Sequence, residues 1–221
     1  MIYVVGLKNE TNIKSIFVNE IIFNNFSIND DFDACIFTSK NAVKSCVLNN
    51  INLKNKKIFS IGLATTKYLN SLGLDVFYTG KSAHASEFKN EILPLLNNLK
   101  CVYFRALNII SDLDEFLDLN NISLRSVIAY SNTRLNTPLD NDLNPFVRSI
   151  NNEDILIFLA PSGVRDYEYF FKTFPKNIIA IGKSTENELK KYNVKNIFVS
   201  DYPTLQDCLN LANSLNKIKI N

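Results

Sequence analysis

The sequence predicts an α/β protein built from two similar parallel-sheet domains, and three observations carry that prediction. Short runs rich in Ile, Val, Phe and Tyr recur along the chain, each followed by a turn and then an amphipathic stretch. The runs are apolar throughout rather than alternating, as expected of strands buried on both faces between covering helices. Finally, IFTSKNAV at 36–43 returns as IFLAPSGV at 157–164, so one strand–turn–helix unit is written twice.

Taken in order, the expected strands are 2–5, 20–23, 34–37, 57–61, 75–78, 101–104, 126–130, 155–159, 178–181 and 196–199. Between them lie helical patterns: NAVKSCVLN, TTKYLNSLG, EFKNEILPLLNN, a stretch before SVIAY, DYEYFFKTF, STENELKKY and LQDCLNLANSL. The repeat runs through several of these units in one register. The two phrases start 157 − 36 = 121 residues apart, and Gly62 and Gly182 of the following SIGLATT and AIGKSTE lie 182 − 62 = 120 apart. SLGLDVFYTGKSA and KYNVKNIFVSDYPT continue the match. Three matches in order specify two similar domains.

The copies are unequal at their ends. The first continues into CVYFR and SVIAY, whereas the second stops at 221 and its counterparts, IYVV and EIIF, stand at the N-terminus. The economical reading is a discontinuous first domain, 1–25 plus 132–221, holding an inserted second domain, 26–131. The crossings near 25 and 131 would form a paired hinge with a cleft between the lobes.

Composition narrows the function. Hydrophobic residues make up 46% and charged residues 21%, a well-packed globular balance. A net charge of +2, with both signs interspersed, gives no basic stripe for nucleic acid. Cys35, Cys46, Cys101 and Cys208 have no CxxC spacing and read as buried thiols. The single histidine, His84, leaves no His-rich metal site and reads as the first turn of an exposed helix. No run approaches the ~18 apolar residues of a membrane span, and MIYVVGLKNET has no basic leader. A cytoplasmic, soluble protein is expected.

In open α/β sheets ligands lie beyond the carboxyl ends of the strands. Those ends carry Thr38-Ser39-Lys40-Asn41, Gly62 with Thr65 and Thr66, Ser82-Ala83, Arg105, Ala160-Pro161-Ser162-Gly163, Gly182 with Ser184 and Thr185, and Pro203-Thr204. Small and hydroxyl residues opening helices expose unpaired N–H groups that suit anions. Plain capping explains any one of them, and Thr185-x-x-Glu188 and Thr204-x-x-Asp207 are capping-box patterns. Six such turns around one cleft favour a ligand with many negative charges. There is no GxGxxG, no Walker loop and no metal-ligand spacing, so no cofactor and no metal are expected.

Together IFTSKNAV, SIG-x-x-TT, FRA at 104–106, VIAYSNT at 127–133, FLAPSGV, AIGKST and YPT at 202–204 resemble the uroporphyrinogen-III synthase family over the whole chain. The resemblance implies two HemD-type α/β domains with flavodoxin-like layering, joined by a two-stranded ladder, with the first domain discontinuous. It implies an enzyme of tetrapyrrole (heme and siroheme) biosynthesis, a cofactor-independent lyase. Its substrate would be hydroxymethylbilane, a linear tetrapyrrole with an acetate and a propionate on every ring. The terminal hydroxyl leaves and the chain closes through a spiro intermediate, inverting the last ring; unassisted closure gives the type I isomer. The catalyst must hold a flexible polyanion in one fold and help water leave.

By that resemblance Tyr130 is the tyrosine that assists hydroxyl departure, since a phenol is protonated at neutral pH and donates without tuning. The alternative is a half-buried strand tyrosine. Arg105 would grip a carboxylate bidentately, the alternative being a surface ion pair. Thr38, Ser39, Gly62, Thr65, Thr66, Pro161, Ser162, Gly163, Ser184 and Thr185 match turns that contact substrate carboxylates, largely through backbone N–H groups. Ala160 replaces a serine common before Pro-Ser, and Ala106 replaces a glycine common after the arginine. The stretch between IYVV and EIIF is short, so the family's first helix is expected to be reduced or replaced by a loop. The implied partners are the small-molecule substrate and, transiently, the enzyme that forms the bilane; neither nucleic acid nor membrane is expected, and a monomer is. A non-catalytic two-lobed binding protein for a small polyanion is the alternative reading.

Overall fold

The computed structural model of the chain describes residues 1–7, 13–29, 31–82, 84–109, 111–137, 144–145 and 147–218. The connection at 8–12, where a reduced first helix was expected, and Ala83 lie outside the described residues. In chain order the elements are β1 (Ile2–Leu7), β2 (Ser15–Phe23), β3 (Ala34–Phe37), α1 (Lys40–Leu48), β4 (Lys57–Ser60), α2 (Leu63–Ser71), β5 (Tyr78–Thr79), α3 (Ala85–Ile92) and β6 (Cys101–Ala106). There follow α4 (Leu113–Leu119), β7 (Leu124–Arg134), β8 (Ile155–Phe158), α5 (Pro161–Phe171), β9 (Asn177–Ala180), α6 (Lys183–Leu189), β10 (Asn196–Val199) and α7 (Leu205–Ile218).

These elements form two compact units, Met1–Glu20 with Thr133–Asn221, and Ile21–Asn132. In the first, the strand order is β10-β9-β8-β1-β2; in the second it is β7-β6-β3-β4-β5. Every one of these neighbouring pairs is parallel. The two orders are equivalent once β8 is matched to β3, β9 to β4, β10 to β5, β1 to β6 and β2 to β7. The chain therefore visits one topology twice, in permuted order.

Burial follows from that layering. β3, β8 and β9 are buried at all four positions, because a parallel sheet covered on both faces leaves no wet side. In the second unit, Cys35, Phe37, Val102 and Phe104 pack with Val43 and Leu69 on one face, while Ile36, Phe59 and Tyr103 pack with Phe88 and Leu117 on the other. Phe37 stacks on Phe104 with ring centroids 5.3 Å apart. In the first unit, Tyr3, Val5, Leu156 and Phe158 meet Val164 and Leu189, and Val4 and Ile157 meet Cys208 and Ala212. All four cysteines are buried and free; burial pushes the Cys101 thiol up to about 11.

The elements depart from the sequence reading where neighbours override local pattern. The strand expected at 75–78 pairs only over Tyr78–Thr79, against Phe59 and Ser60. β2 begins at Ser15, not 20, because Ser15, Ile16 and Phe17 pair with β1 and Ile16 and Val18 are buried, although Ser15 and Asn19 break the apolar run. The helix expected through EFKNEILPLLNN ends at Ile92, and Leu93–Leu95 forms a 3-10 turn around Pro94, since proline cannot continue the α-helical ladder. His84 is exposed at the head of α3 and its side chain caps nothing.

Candidate active site

A doubly wound sheet offers a crevice where consecutive crossovers run to opposite sides of a central strand. In the second unit that strand is β3, between β4 and β6; in the first it is β8, between β9 and β1. Thr38, Ser39 and Arg105 stand over the former, and Ala160, Ser162, Gly163 and Gly6 over the latter.

Over β3, Ser39 adopts an extended conformation and its Oγ accepts from the Asn41 N–H at 3.0 Å, capping α1. Thr38 Oγ1 lies 3.0 Å from the Tyr103 hydroxyl, tying the ends of β3 and β6. Burial raises the Tyr103 phenol above its usual range, and the Thr38 hydrogen bond offsets part of that shift. Arg105 does not present a free fork. Its Nε lies 3.2 Å from Asp114 Oδ2 without a hydrogen bond there, so that pairing is a charge contact. Its Nη1 donates to the carbonyls of Ala106 at 3.0 Å and Leu107 at 3.3 Å.

The glycine turns are alike in both units. Gly62 and Gly182 are the extended residues before α2 and α6. Their carbonyls accept from Thr65 and Thr66, and from Thr185 and Glu186. The box expected at Thr185-x-x-Glu188 is therefore not the cap: Gly182 holds that place, Thr185 is fully buried with its Oγ1 unpartnered, and Glu188 pairs with Arg165 and Lys191. Thr66 Oγ1 is engaged by Ser60 at 2.5 Å and Thr79 at 2.7 Å. The Thr66 hydroxyl braces its turn, and the first-turn N–H groups ahead of Thr65 and Thr185 are the ones a helix leaves open. Ser184 is exposed. Thr204 does cap α7, accepting from the Asp207 N–H at 3.1 Å.

Over β8, Ala160 repeats the backbone of its twin Ser39 (φ −162° against −158°) but offers no capping side chain. Pro161 follows at the first helical position, where a missing N–H costs nothing. At Gly163 a Cβ would lie 3.4 Å from Val5 O and 3.5 Å from Gly6 Cα, so α5 rides close on β1.

β7 in the second unit and β2 in the first carry the same irregularity. Along β6–β7 the register runs Phe104↔Val127, Arg105↔Ile128, then Ala106↔Tyr130, skipping Ala129. A residue inserted this way turns the following side chain onto the opposite face. Tyr130 thus packs against the face that holds Val127 and Phe104, half-buried, and its hydroxyl makes no hydrogen bond among the described residues. The skipped Ala129 carbonyl is held by Ser45 Oγ at 2.5 Å and the Asn24 N–H at 3.0 Å. Along β1–β2 the register runs Gly6↔Phe17, then Leu7↔Asn19, skipping Val18. Asn19 is therefore the counterpart of Tyr130. It is 1% exposed, donates from Nδ2 to Asp166 Oδ2 at 2.9 Å, and leaves Oδ1 unpartnered, an omission that costs about 1–3 kcal/mol. Asp166 also accepts from Arg134 Nε at 2.9 Å.

Sequence reasoning singled out Tyr130 and did not single out Asn19, Asp166, Ser45 or Tyr103, which the structure places around the two register shifts and the end of β3. A constant repeat offset cannot reach Asn19, since the permutation changes 120–121 into 130 − 19 = 111 at this strand. Among the described residues, no three His, Cys, Asp or Glu side chains gather as metal ligands would.

Two parallel α/β units with helix-opening turns over their switch points have the architecture of an α/β protein that takes a ligand at its strand ends. A family model described as uroporphyrinogen-III synthase HemD matches residues 12–210. The chain belongs to the uroporphyrinogen-III synthase family. Its fold is similar to the crystal structure of uroporphyrinogen-III synthetase from Helicobacter pylori 26695, at 28% identity and a TM-score of 0.77, covering 97% of this chain and 98% of that one. A mutant uroporphyrinogen III synthase from the extremely thermophilic bacterium Thermus thermophilus is similar in fold, at 14% identity and a TM-score of 0.55, covering 92% of this chain and 89% of that one. No curated protein sequence matched.

Proposed function

We propose that this chain closes hydroxymethylbilane to uroporphyrinogen III, with Tyr130 donating to the departing hydroxyl. The observation that supports the role is the register shift at Ala106, which turns Tyr130 over while its hydroxyl has no hydrogen bond among the described residues. In this reading the C–O bond of the hydroxymethyl group breaks as the phenol donates its hydrogen bond, and water leaves. Ring closure then follows through the spiro intermediate, inverting the last ring. Positioning contributes most of the specificity, because unassisted closure gives the other isomer.

The substrate carboxylates are assigned to the turns after β3, β4, β8 and β9. Pro161 contributes backbone shape, and Thr38, Ser39, Gly62, Ser162 and Gly163 contribute open N–H groups. Behind them Thr66 braces its turn by its hydroxyl, Thr65 and Thr185 donate their backbone N–H groups to the Gly62 and Gly182 carbonyls, and Ser184 stands at the exposed edge. Arg105 serves as a fixed positive charge, held by Asp114, rather than as a bidentate clamp. No described helix is long and apolar enough to cross a membrane; we place the reaction in the cytoplasm, in a monomer receiving its unstable substrate from the enzyme that forms it.

The test is incubation of the chain with hydroxymethylbilane and separation of the isomers. Type III in excess of the spontaneous product is expected; type I alone, at the spontaneous rate, overturns the reading and leaves the polyanion-binding alternative.

A further inference from the structure

Asn19 sits in an unusual position for a buried amide. It lines a cavity of about 130 Å³ within the first unit, at the switch point between β8 and β1, together with Gly6, Ser162 and Gly163. That volume is several times the ~30 Å³ share of one water molecule in the liquid. The remaining walls are mainly apolar, with Val4, Ile13, Leu159 and Leu205 among them, and include Ser15, whose hydroxyl donates to the Ile13 carbonyl at 2.9 Å.

The amide is oriented by chemistry. A carboxylate only accepts, so the Asp166 contact at 2.9 Å must be made by the Asn19 NH₂ group. Asp166 is itself fixed by Arg134. Oδ1 is thereby turned away from Asp166 and carries no partner, although the residue is 1% exposed. Gly6, at φ +153°, leaves open space where a Cβ would stand. A mainly apolar pocket whose buried amide oxygen has no partner and is backed by a carboxylate disfavours an anion. It suits a flat apolar group carrying a single N–H or O–H donor.

We infer that Asn19 is a specificity residue whose Oδ1 accepts the N–H of one pyrrole ring of the substrate in this pocket. The inference rests on the proposed reaction and adds to it. The turns take the carboxylates, whereas Asn19 takes the ring nitrogen. It also assigns a role to the position that matches Tyr130. In the second unit the residue turned over by the register shift is a donor, and in the first it is an acceptor.

The probes are a monopyrrole bearing an acetate and a propionate, and its N-methyl derivative, titrated into the full chain while the Asn19 side-chain amide is followed by NMR. The N–H pyrrole is expected to bind and shift that amide. N-methylation should weaken binding on the order of tenfold, as loss of one buried hydrogen bond does. Asn19→Leu should bring the two probes to equal affinity. The comparison on the unaltered chain needs no variant, so a misfolded Asn19→Leu leaves the test intact. Equal affinity of both probes for the unaltered chain overturns the inference. So does failure of either to bind, with only a water held at Oδ1. The isomer assay separates the two claims: type III product with no N–H preference sinks the role of Asn19 alone, whereas type I alone sinks the reaction on which it rests.

Discussion

Asn19 and Tyr130 occupy matching positions on β2 and β7 in two permuted copies of one topology, each placed by a one-residue slip. Their surroundings diverge. In the second unit the matching helix position is Ser45, which clamps the skipped Ala129 carbonyl and leaves the phenol free. In the first it is Asp166, 166 − 45 = 121 residues on, which takes the Asn19 amide itself. One backbone device has thus been given two chemistries. The repeat conserves where a side chain is delivered, and the helix facing it decides whether that side chain is left free or held.

The largest break in this comparison is steric. Gly80 and Ser200 are counterparts, each donating its N–H to the end of the neighbouring strand, at Ser60 O and Ala180 O. A Cβ at Gly80 would meet Ile61 O at 2.5 Å and Phe88 Cδ2 at 2.8 Å. Gly80→Ser should therefore destabilise by about 1–3 kcal/mol in urea unfolding. Ser200→Gly removes the side-chain bond to Tyr202 O and a hydrogen bond with the Cys208 thiol, and should cost about 1 kcal/mol. Equal losses would show that the two positions are not differently packed.

Next is the pair of helix residues. Asp166→Ala strips Arg134 of its carboxylate and leaves the buried Asn19 NH₂ unmet; about 2 kcal/mol is expected. Ser45→Ala should cost about half that, because the Ala129 carbonyl keeps the Asn24 N–H. Chemical unfolding of both variants checks the order.

The smallest effect is a pH dependence confined to α6. Hydrogen bonds from Lys183 and Lys190 hold the Glu186 carboxyl below its ordinary 4.5. A depressed folded value means the contribution is present above that pH and is lost as pH falls through the folded value. Melting temperature followed downward from pH 6 should fall less steeply for Glu186→Gln than for the parent chain. An identical slope would remove that carboxyl from the acid response.

Much of the fold was legible because apolar runs and turns are local signals. Ile155–Phe158 and Ala34–Phe37 are wholly buried, and their sequences contain nothing else. β2 was half hidden, since Asn19 and Ser15 look like loop residues until the Asp166 partner and the neighbouring strand are seen. Tyr130 was reachable through its motif; its orientation was not, because a register slip is a property of two strands and neither sequence carries it alone. Ala160 is now placed as well. Its backbone matches Ser39, so the turn keeps its shape without the hydroxyl.

The most direct measurement is the single-turnover rate of hydroxymethylbilane closure by Tyr130→Phe, with circular dichroism and melting temperature matched to the parent. Loss of a positioned proton donor predicts a rate lower by roughly 10²-fold or more, with the residual product shifting toward the spontaneous type I isomer. Full rate and unchanged type III yield would contradict the role assigned to Tyr130.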